Sequence, residues 1–190
     1  MSLRLVLASS SPRRHDLLSL LGRPFDVLAP DINETVLAGE LARDYVERLA
    51  VAKARAVVVD HDVLVIAADT TVDLDGAILG KPADAKEACV MLRALSGRTH
   101  LTHTGVCLKI GDAIAHDVVT TAVEFAALSD RYIEWYVATG EPMDKAGAYG
   151  LQYIGGCFVA RIDGNAQNVI GLPMGCVLQL AAQLQVPLLV

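Results

Sequence analysis

Aromatic residues make up only 5% of this 190-residue chain, with a single tryptophan and three phenylalanines. Cysteine is scarce as well. Cys89, Cys107, Cys157 and Cys176 are widely scattered, form no Cys-x-x-Cys pair, and each stands in an apolar setting where a thiol acts as a small hydrophobe. That pattern speaks against a disulfide scaffold and against a structural zinc site. Long apolar runs are missing too: none approaches a bilayer span, and Leu3 to Ala8 is too short for a signal-peptide core before Ser11-Pro12-Arg13-Arg14 begins. A soluble, cytoplasmic protein is expected, with no membrane partner. Basic charge is in deficit, 16 Lys and Arg against 22 Asp and Glu, and the resulting net charge of -6 argues against broad binding of a nucleic-acid polymer. Local basic clusters for a small anion remain open. What is present in quantity is apolar surface, 53% of residues, ample for one domain over 1–190, in one body or in two lobes.

The chemistry gathers around Val63-Leu64-Val65-Ile66-Ala67-Ala68-Asp69-Thr70-Thr71-Val72. A continuous apolar run that ends in an acid and two hydroxyls is how a buried central strand delivers a carboxylate to the edge of a sheet. After a turn around Asp75-Gly76, Lys81 stands between Gly80 and Pro82, where the backbone is stiffened as it presents a cation. Two readings fit this segment: a phosphate and metal site, or a strand end with a solvated acid and a surface lysine.

Upstream, Leu3, Leu5 and Leu7 predict a strand, and Ser9-Ser10-Ser11-Pro12-Arg13-Arg14 turns it into a helix with Ser11 as cap and Pro12 at the first position. Capping alone does not call for three serines and two arginines. Backbone N–H groups, hydroxyls and guanidinium forks at a helix start favour an anion site. A short strand is expected over Phe25 to Pro30, then an acidic loop at Asp31 to Glu34; taken alone, Glu34 reads as a solvated loop residue. A helix is expected from about Ala38 to Val59 with Tyr45, Leu49, Ala52 and Ala56 on its inner side, and there Lys53 reads as a surface lysine. Further expectations are a helix from Asp84 to Gly97, a hairpin of Thr99–Ile110 and Ala113–Phe125 and a helix capped by Ser129, then a strand over Gly156–Ile162 and a last helix after Pro173. His100 and His103 fall on opposite faces of their strand, which disfavours a shared metal. Between Glu141 and Gln152 the small residues, glycines and charged pair suggest a loop where backbone approaches a ligand closely.

Taken together, Leu7 to Arg14, Ala68-Asp69-Thr70, Gly80-Lys81-Pro82, Glu141-Pro142 with Asp144 to Gly150, and Gly171-Leu172-Pro173 resemble the Maf family over nearly the whole chain. The resemblance implies an α/β fold with a long mixed central sheet flanked by helices, two lobes and a deep cleft, related to house-cleaning nucleoside triphosphate pyrophosphatases. It also implies a homodimer. Within the family the likeness is to the branch hydrolysing dTTP and UTP, with CTP or modified pyrimidine nucleotides as further substrates, and rests on Arg13, Thr70 and Gln152 at that branch's specificity positions. Carried over by motif, Asp69 is the general base, a metal ligand or both; Ser9, Arg14, Lys53 and Lys81 surround phosphates; and Glu34 joins Asp69 on a divalent cation, Mg2+ or Mn2+. A nucleotide-binding regulator of septum formation that needs no catalysis is the alternative. Two departures stand out, Tyr153 after Gln152 and Asn165-Ala166 before Asn168, and both bear on the expected base pocket.

Overall fold

The computed structural model describes residues 3–189; Met1, Ser2 and Val190, the outer limits of the expected 1–190 domain, lie outside the described residues. In chain order the first half comprises β1 (Arg4–Leu7), α1 (Pro12–Ser19), β2 (Asp26–Val27), α2 (Ala42–Ala56), β3 (Val63–Leu74), β4 (Ala77–Leu79) and α3 (Ala85–Leu95). The second half adds β5 (Thr99–Ile110), β6 (Ala113–Phe125), α4 (Asp130–Ala138), β7 (Val159–Asp163), α5 (Ala166–Ile170) and α6 (Met174–Gln183), with three short 3-10 turns between α4 and β7. The strands form one seven-stranded mixed sheet in the order β2-β1-β3-β5-β6-β7, with β4 folded back on the far half of β3. β1 runs parallel to β2 and β3, and the β3, β5, β6, β7 neighbours are antiparallel.

β3 is apolar on both faces because both faces are covered. Its even-numbered residues Leu64, Ile66 and Ala68 pack with Leu5, Leu7, Leu17 and Leu18 and with Val177 and Leu180 of α6. The odd-numbered Val63, Val65 and Ala67 pack instead against Ala50 and Ala54 of α2. A further hydrophobic cluster closes around the far end of the sheet, where Val72 and Leu74 meet Leu92 and Leu95 of α3, Ile133 and Tyr136 of α4, and Phe125, Tyr149 and Phe158.

The cleft follows from strand lengths. β1 stops at Leu7, paired with Ile66, and β4 takes up the same edge of β3 only at Val72. Between those points the edge of β3 carries no strand neighbour, and Asp69 and Thr70 stand in the gap. The period of two that sorts the core continues into it, so Asp69 faces the α2 side and Thr70 the α1 side.

The long hairpin, the helix that starts at Asp84 and the cap at Ser129 are as expected, and the Asp84 and Ser129 side chains accept from Glu87 N and Tyr132 N. Other expectations are corrected. Ser11 sits at the N-cap of α1 without a side-chain cap bond, and the Ser11 N–H donates instead to Ser9 Oγ at 3.2 Å. α2 begins at Ala42 rather than Ala38, and its buried stripe is Val46, Leu49, Ala50, Lys53 and Ala54, with Ala56 exposed. The reason lies opposite it: a Cβ on Gly105 would fall 2.3 Å from Val46 O, so α2 lies backbone-close on β5 and turns its small residues inward. The strand expected over Phe25–Pro30 shrinks to two residues at the sheet edge. That expected over Gly156–Ile162 starts only at Val159, because Gly155 and Gly156 are held in a 3-10 turn in which a Cβ on Gly156 would meet Leu151 O. Cys157 is exposed in that turn rather than in an apolar setting. The five-residue α5, capped by Asn165 accepting from Asn168 N, has no counterpart among the expected elements.

Candidate active site

A cleft of about 510 Å3 opens over the unpaired edge of β3, a volume suited to a small organic ligand. Five cationic side chains (Arg13, Arg14, Lys53, Lys81 and Lys145) and three acids (Glu34, Asp69 and Asp144) line it, so it is net positive in a chain of net charge -6. One stretch of wall is polar, with Ser9, Ser10, Ser11 and Gly80-Lys81; another is apolar, with Val72, Ala146, Leu151, Val169 and Ile170.

Asp69 is 7% exposed and its Oδ1 lies 2.6 Å from Lys53 Nζ; the same ammonium lies 2.6 Å from Glu34 Oε1. Lys53 reaches this point because it is two helical turns from Val46, on the face that Gly105 lets down onto the sheet, and Gly105 is the cross-strand partner of Asp69. A lysine read as surface from the sequence is thus buried between two carboxylates. Burial alone raises the Glu34 pKa, but the hydrogen bond and charge of Lys53 outweigh it, with Lys81 and Arg14 adding to them, and hold Glu34 below its ordinary value. Tyr45, whose hydroxyl donates to Glu34 O, is pushed up to about 12 by burial and by the Asp69 and Glu34 charges.

Arg14 knits the start of α1 to the opposite wall. Its Nε donates to Gly171 O (2.9 Å), Nη1 to Ser9 Oγ (3.2 Å) and Nη2 to Thr70 Oγ1 (3.0 Å). Burial lowers its pKa, opposed by Asp69. Arg13 crosses the cleft, donating to Asp144 Oδ2 at 2.7 Å and Asp144 O at 3.2 Å. Asp144 also accepts from Lys145 Nζ, and although burial raises its pKa, Lys145 and Arg13 together bring it down to about 2. Lys145 lies 5.5 Å from the centre of the Tyr153 ring.

The structure therefore brings together Ser9, Arg13, Arg14, Glu34, Lys53, Asp69, Thr70 and Lys81. Gln152 is exposed and stands outside the cleft wall, one residue beyond Leu151. Of the two departures, Tyr153 is 49% exposed and lies against the cleft residue Lys145, while Asn165 serves as a helix cap; neither Tyr153 nor Ala166 is itself part of the wall. Asp144, Lys145 and Tyr149, expected only as part of a ligand-approaching loop, and Thr102, to which no role was assigned, all line the cleft. The first three lie in the glycine-rich stretch, whose glycines were the signal: Gly147 has a φ of +69°, and a Cβ on it would meet Val72. Thr102 carried none.

Glu34 Oε1 and Asp69 Oδ1 both meet Lys53 Nζ, so the second oxygen of each carboxylate is the one left for a hard cation, a donor type that fits Mg2+ or Mn2+. Among the described residues no group of three acid, histidine or cysteine side chains is assembled for a metal, so the remaining ligands would be water and substrate oxygens.

A family model described as Maf-like protein matches residues 4–184. The chain is 53% identical over 179 residues to a dTTP/UTP pyrophosphatase of Anaeromyxobacter sp. (strain Fw109-5), covering 92% of this chain and 86% of that one. It is 49% identical over 188 residues to a dTTP/UTP pyrophosphatase of Symbiobacterium thermophilum, covering 97% and 96%. With that of Shewanella oneidensis it shares 50% identity over 181 residues, covering 90% and 93%. A solved HAM1 protein from Coxiella burnetii aligns at a TM-score of 0.48 and 22% identity over 67% of this chain and 75% of that one.

Proposed function

Because the chain belongs to the Maf family, we propose that its cleft hydrolyses dTTP and UTP to the nucleoside monophosphate and pyrophosphate. The observation that carries this reading is a buried carboxylate inside a net-positive cleft with an apolar wall beside it. A polyanion needs the cations, and a nucleobase needs the apolar wall. Asp69 adds to these a carboxylate able to take a proton from water or to hold a cation.

In this reading Ser9, Arg14 and Lys81 hold the triphosphate, and the guanidinium and ammonium groups stabilise charge developing on the departing pyrophosphate. Water attacks the α-phosphorus and Asp69 takes its proton. Asp69 Oδ1 is engaged by Lys53, which fixes the carboxylate's orientation, while no protein group among the described residues hydrogen-bonds Oδ2. Glu34 and Asp69 would hold the divalent cation, which when bound supplies neutralisation of phosphate charge and a more acidic water. Arg13 and Thr70 face the base, with Gln152 at the rim.

The test is a product assay on purified protein with Mg2+ or Mn2+ and a panel of nucleoside triphosphates, with pyrophosphate and orthophosphate measured separately. Pyrophosphate and monophosphate from dTTP and UTP are expected, and Asp69→Asn should abolish turnover while unfolding cooperatively like the wild type. Orthophosphate as the product, or wild-type rates in Asp69→Asn, would overturn the reading.

A further inference from the structure

Thr70 lines the cleft, and the position of its proton is dictated from behind the wall. Thr104, its cross-strand partner, is fully buried and is not part of the cleft lining. The Thr104 hydroxyl lies 2.9 Å from Asn168 O, a carbonyl that can only accept, so the single Thr104 proton goes there. Thr70 Oγ1 and Thr104 Oγ1 are 2.9 Å apart, and with the Thr104 proton committed, Thr70 has to be the donor across that contact. Arg14 Nη2, 3.0 Å from Thr70 Oγ1, can only donate. The Thr70 hydroxyl is thereby fully ordered: its proton points into the protein, one lone pair is taken by Arg14, and the second is left over.

The carbonyl at the end of this chain is itself fixed. Asn168 is fully buried, its N–H donates to Asn165 Oδ1, and its side-chain amide donates to Thr102 O and Thr121 Oγ1. Thr70 also lies under the apolar part of the cleft, since a Cβ on Gly171 would sit 3.4 Å from its hydroxyl and the preceding Val169 and Ile170 form the wall.

We infer that Thr104 is a specificity-determining positioning residue: by drawing the Thr70 proton inward it leaves Thr70 able only to accept. This rests on the reading that a pyrimidine nucleotide is the substrate and deepens it. An obligate acceptor on the base wall suits a pyrimidine that carries a proton on N3, as uracil and thymine do. Set against N3 rather than against the exocyclic group at C4, where the cytosine amino group would suit it, this acceptor opposes cytosine, whose N3 is a lone pair. A hydroxyl free to rotate would serve either base, and so would not discriminate. One neutral hydrogen bond gained or lost is worth roughly tenfold to a hundredfold in kcat/KM.

The experiment compares kcat/KM for UTP and CTP, read as pyrophosphate release with Mg2+, in the wild type, Thr104→Val and Thr104→Ser. Thr104→Val keeps the shape and removes the acceptor that holds the Thr70 proton, so the UTP to CTP ratio is expected to fall at least about tenfold, chiefly through a gain on CTP. Thr104→Ser keeps the chain and should leave the ratio within about twofold. An unchanged ratio in Thr104→Val, with both substrates slowed alike, would make Thr104 merely structural and overturn the inference. Independently of whether the variant folds, the wild type is assayed on 5-fluoro-UTP, whose N3 proton ionises at lower pH than that of UTP. Its kcat/KM should decline at lower pH than that of UTP as N3 becomes an acceptor, whereas coincident pH profiles would overturn the inference. Failure of the wild type to release pyrophosphate from UTP at all would instead sink the proposed function.

Discussion

Lys53→Met tests whether one ammonium holds the two carboxylates of the cleft in place. The substitution keeps the packing of the side-chain stem on the inner face of α2 and removes only the charge. What it leaves behind is Asp69, with a side chain 10% exposed, and Glu34, with one 48% exposed, each having lost a partner at 2.6 Å. Breaking a fully buried pair costs about 3–5 kcal/mol. The Glu34 arm is half in water, where screening leaves little to lose, so roughly 2 kcal/mol is the expected cost, nearly all of it on the Asp69 arm. For a chain of this length that corresponds to a fall of about 4–8 °C in Tm. The assay is thermal and urea unfolding of the wild type, Lys53→Met, Asp69→Asn and the double variant, in EDTA. The double variant has no stranded charge on the buried side, so the coupling between the two sites should be at least about 1 kcal/mol. Millimolar Mg2+ should return part of the lost stability to Lys53→Met by binding the freed carboxylates, and little to the double variant. The acid limb offers a further readout. The folded pKa of Glu34 lies below its ordinary 4.5, so its contribution is complete above pH 4.5 and is lost as pH falls through the folded value. Lys53→Met should flatten that limb. Single-variant effects that add to within about 0.5 kcal/mol in the double variant would refute the bridging role.

Gly105→Ala is expected to act on the same pair from the opposite strand. The new Cβ would lie 2.3 Å from Val46 O and 2.6 Å from its carbonyl carbon, so α2 must lift, at about 1–3 kcal/mol, and carry Lys53 away from Asp69. A fall in kcat/KM of at least about tenfold should accompany the loss of stability; wild-type rates and Tm together would show that the close approach is unimportant. His100 gives a pH signature. It is 2% exposed, with Nε2 2.8 Å from the Tyr149 hydroxyl and Nδ1 unpartnered, and burial lowers its pKa from 6.5 to about 4. Because the folded value is the lower one, the stability is complete above pH 6.5 and is lost as pH falls towards 4, by about 3 kcal/mol at most. His100→Gln should flatten Tm against pH across that window relative to the wild type, and parallel curves would rule the residue out.

What could be read from the chain was whatever the chain states locally. The hairpin of β5 and β6, whose alternation is only partial, the helix start at Asp84 and the cap at Ser129 concern residues a few positions apart, and they appear where expected. The run into Asp69 announced a central strand for the same reason. Lys53 could not be read this way, because its burial depends on Gly105, more than fifty residues later, letting a helix backbone down onto the sheet. On the helix itself a lysine among alanines carries no sign of which face will be covered. Thr70 shows the same limit at the level of a single proton. Its position facing the cleft follows from the strand's alternation, but whether it donates or accepts is decided by Thr104 on the neighbouring strand and by the carbonyl of Asn168. Those three residues meet only in the folded sheet. Specificity in such a cleft therefore lies partly in residues that never touch a ligand, and the chemistry of a wall residue has to be derived from its bonded partners rather than from its type.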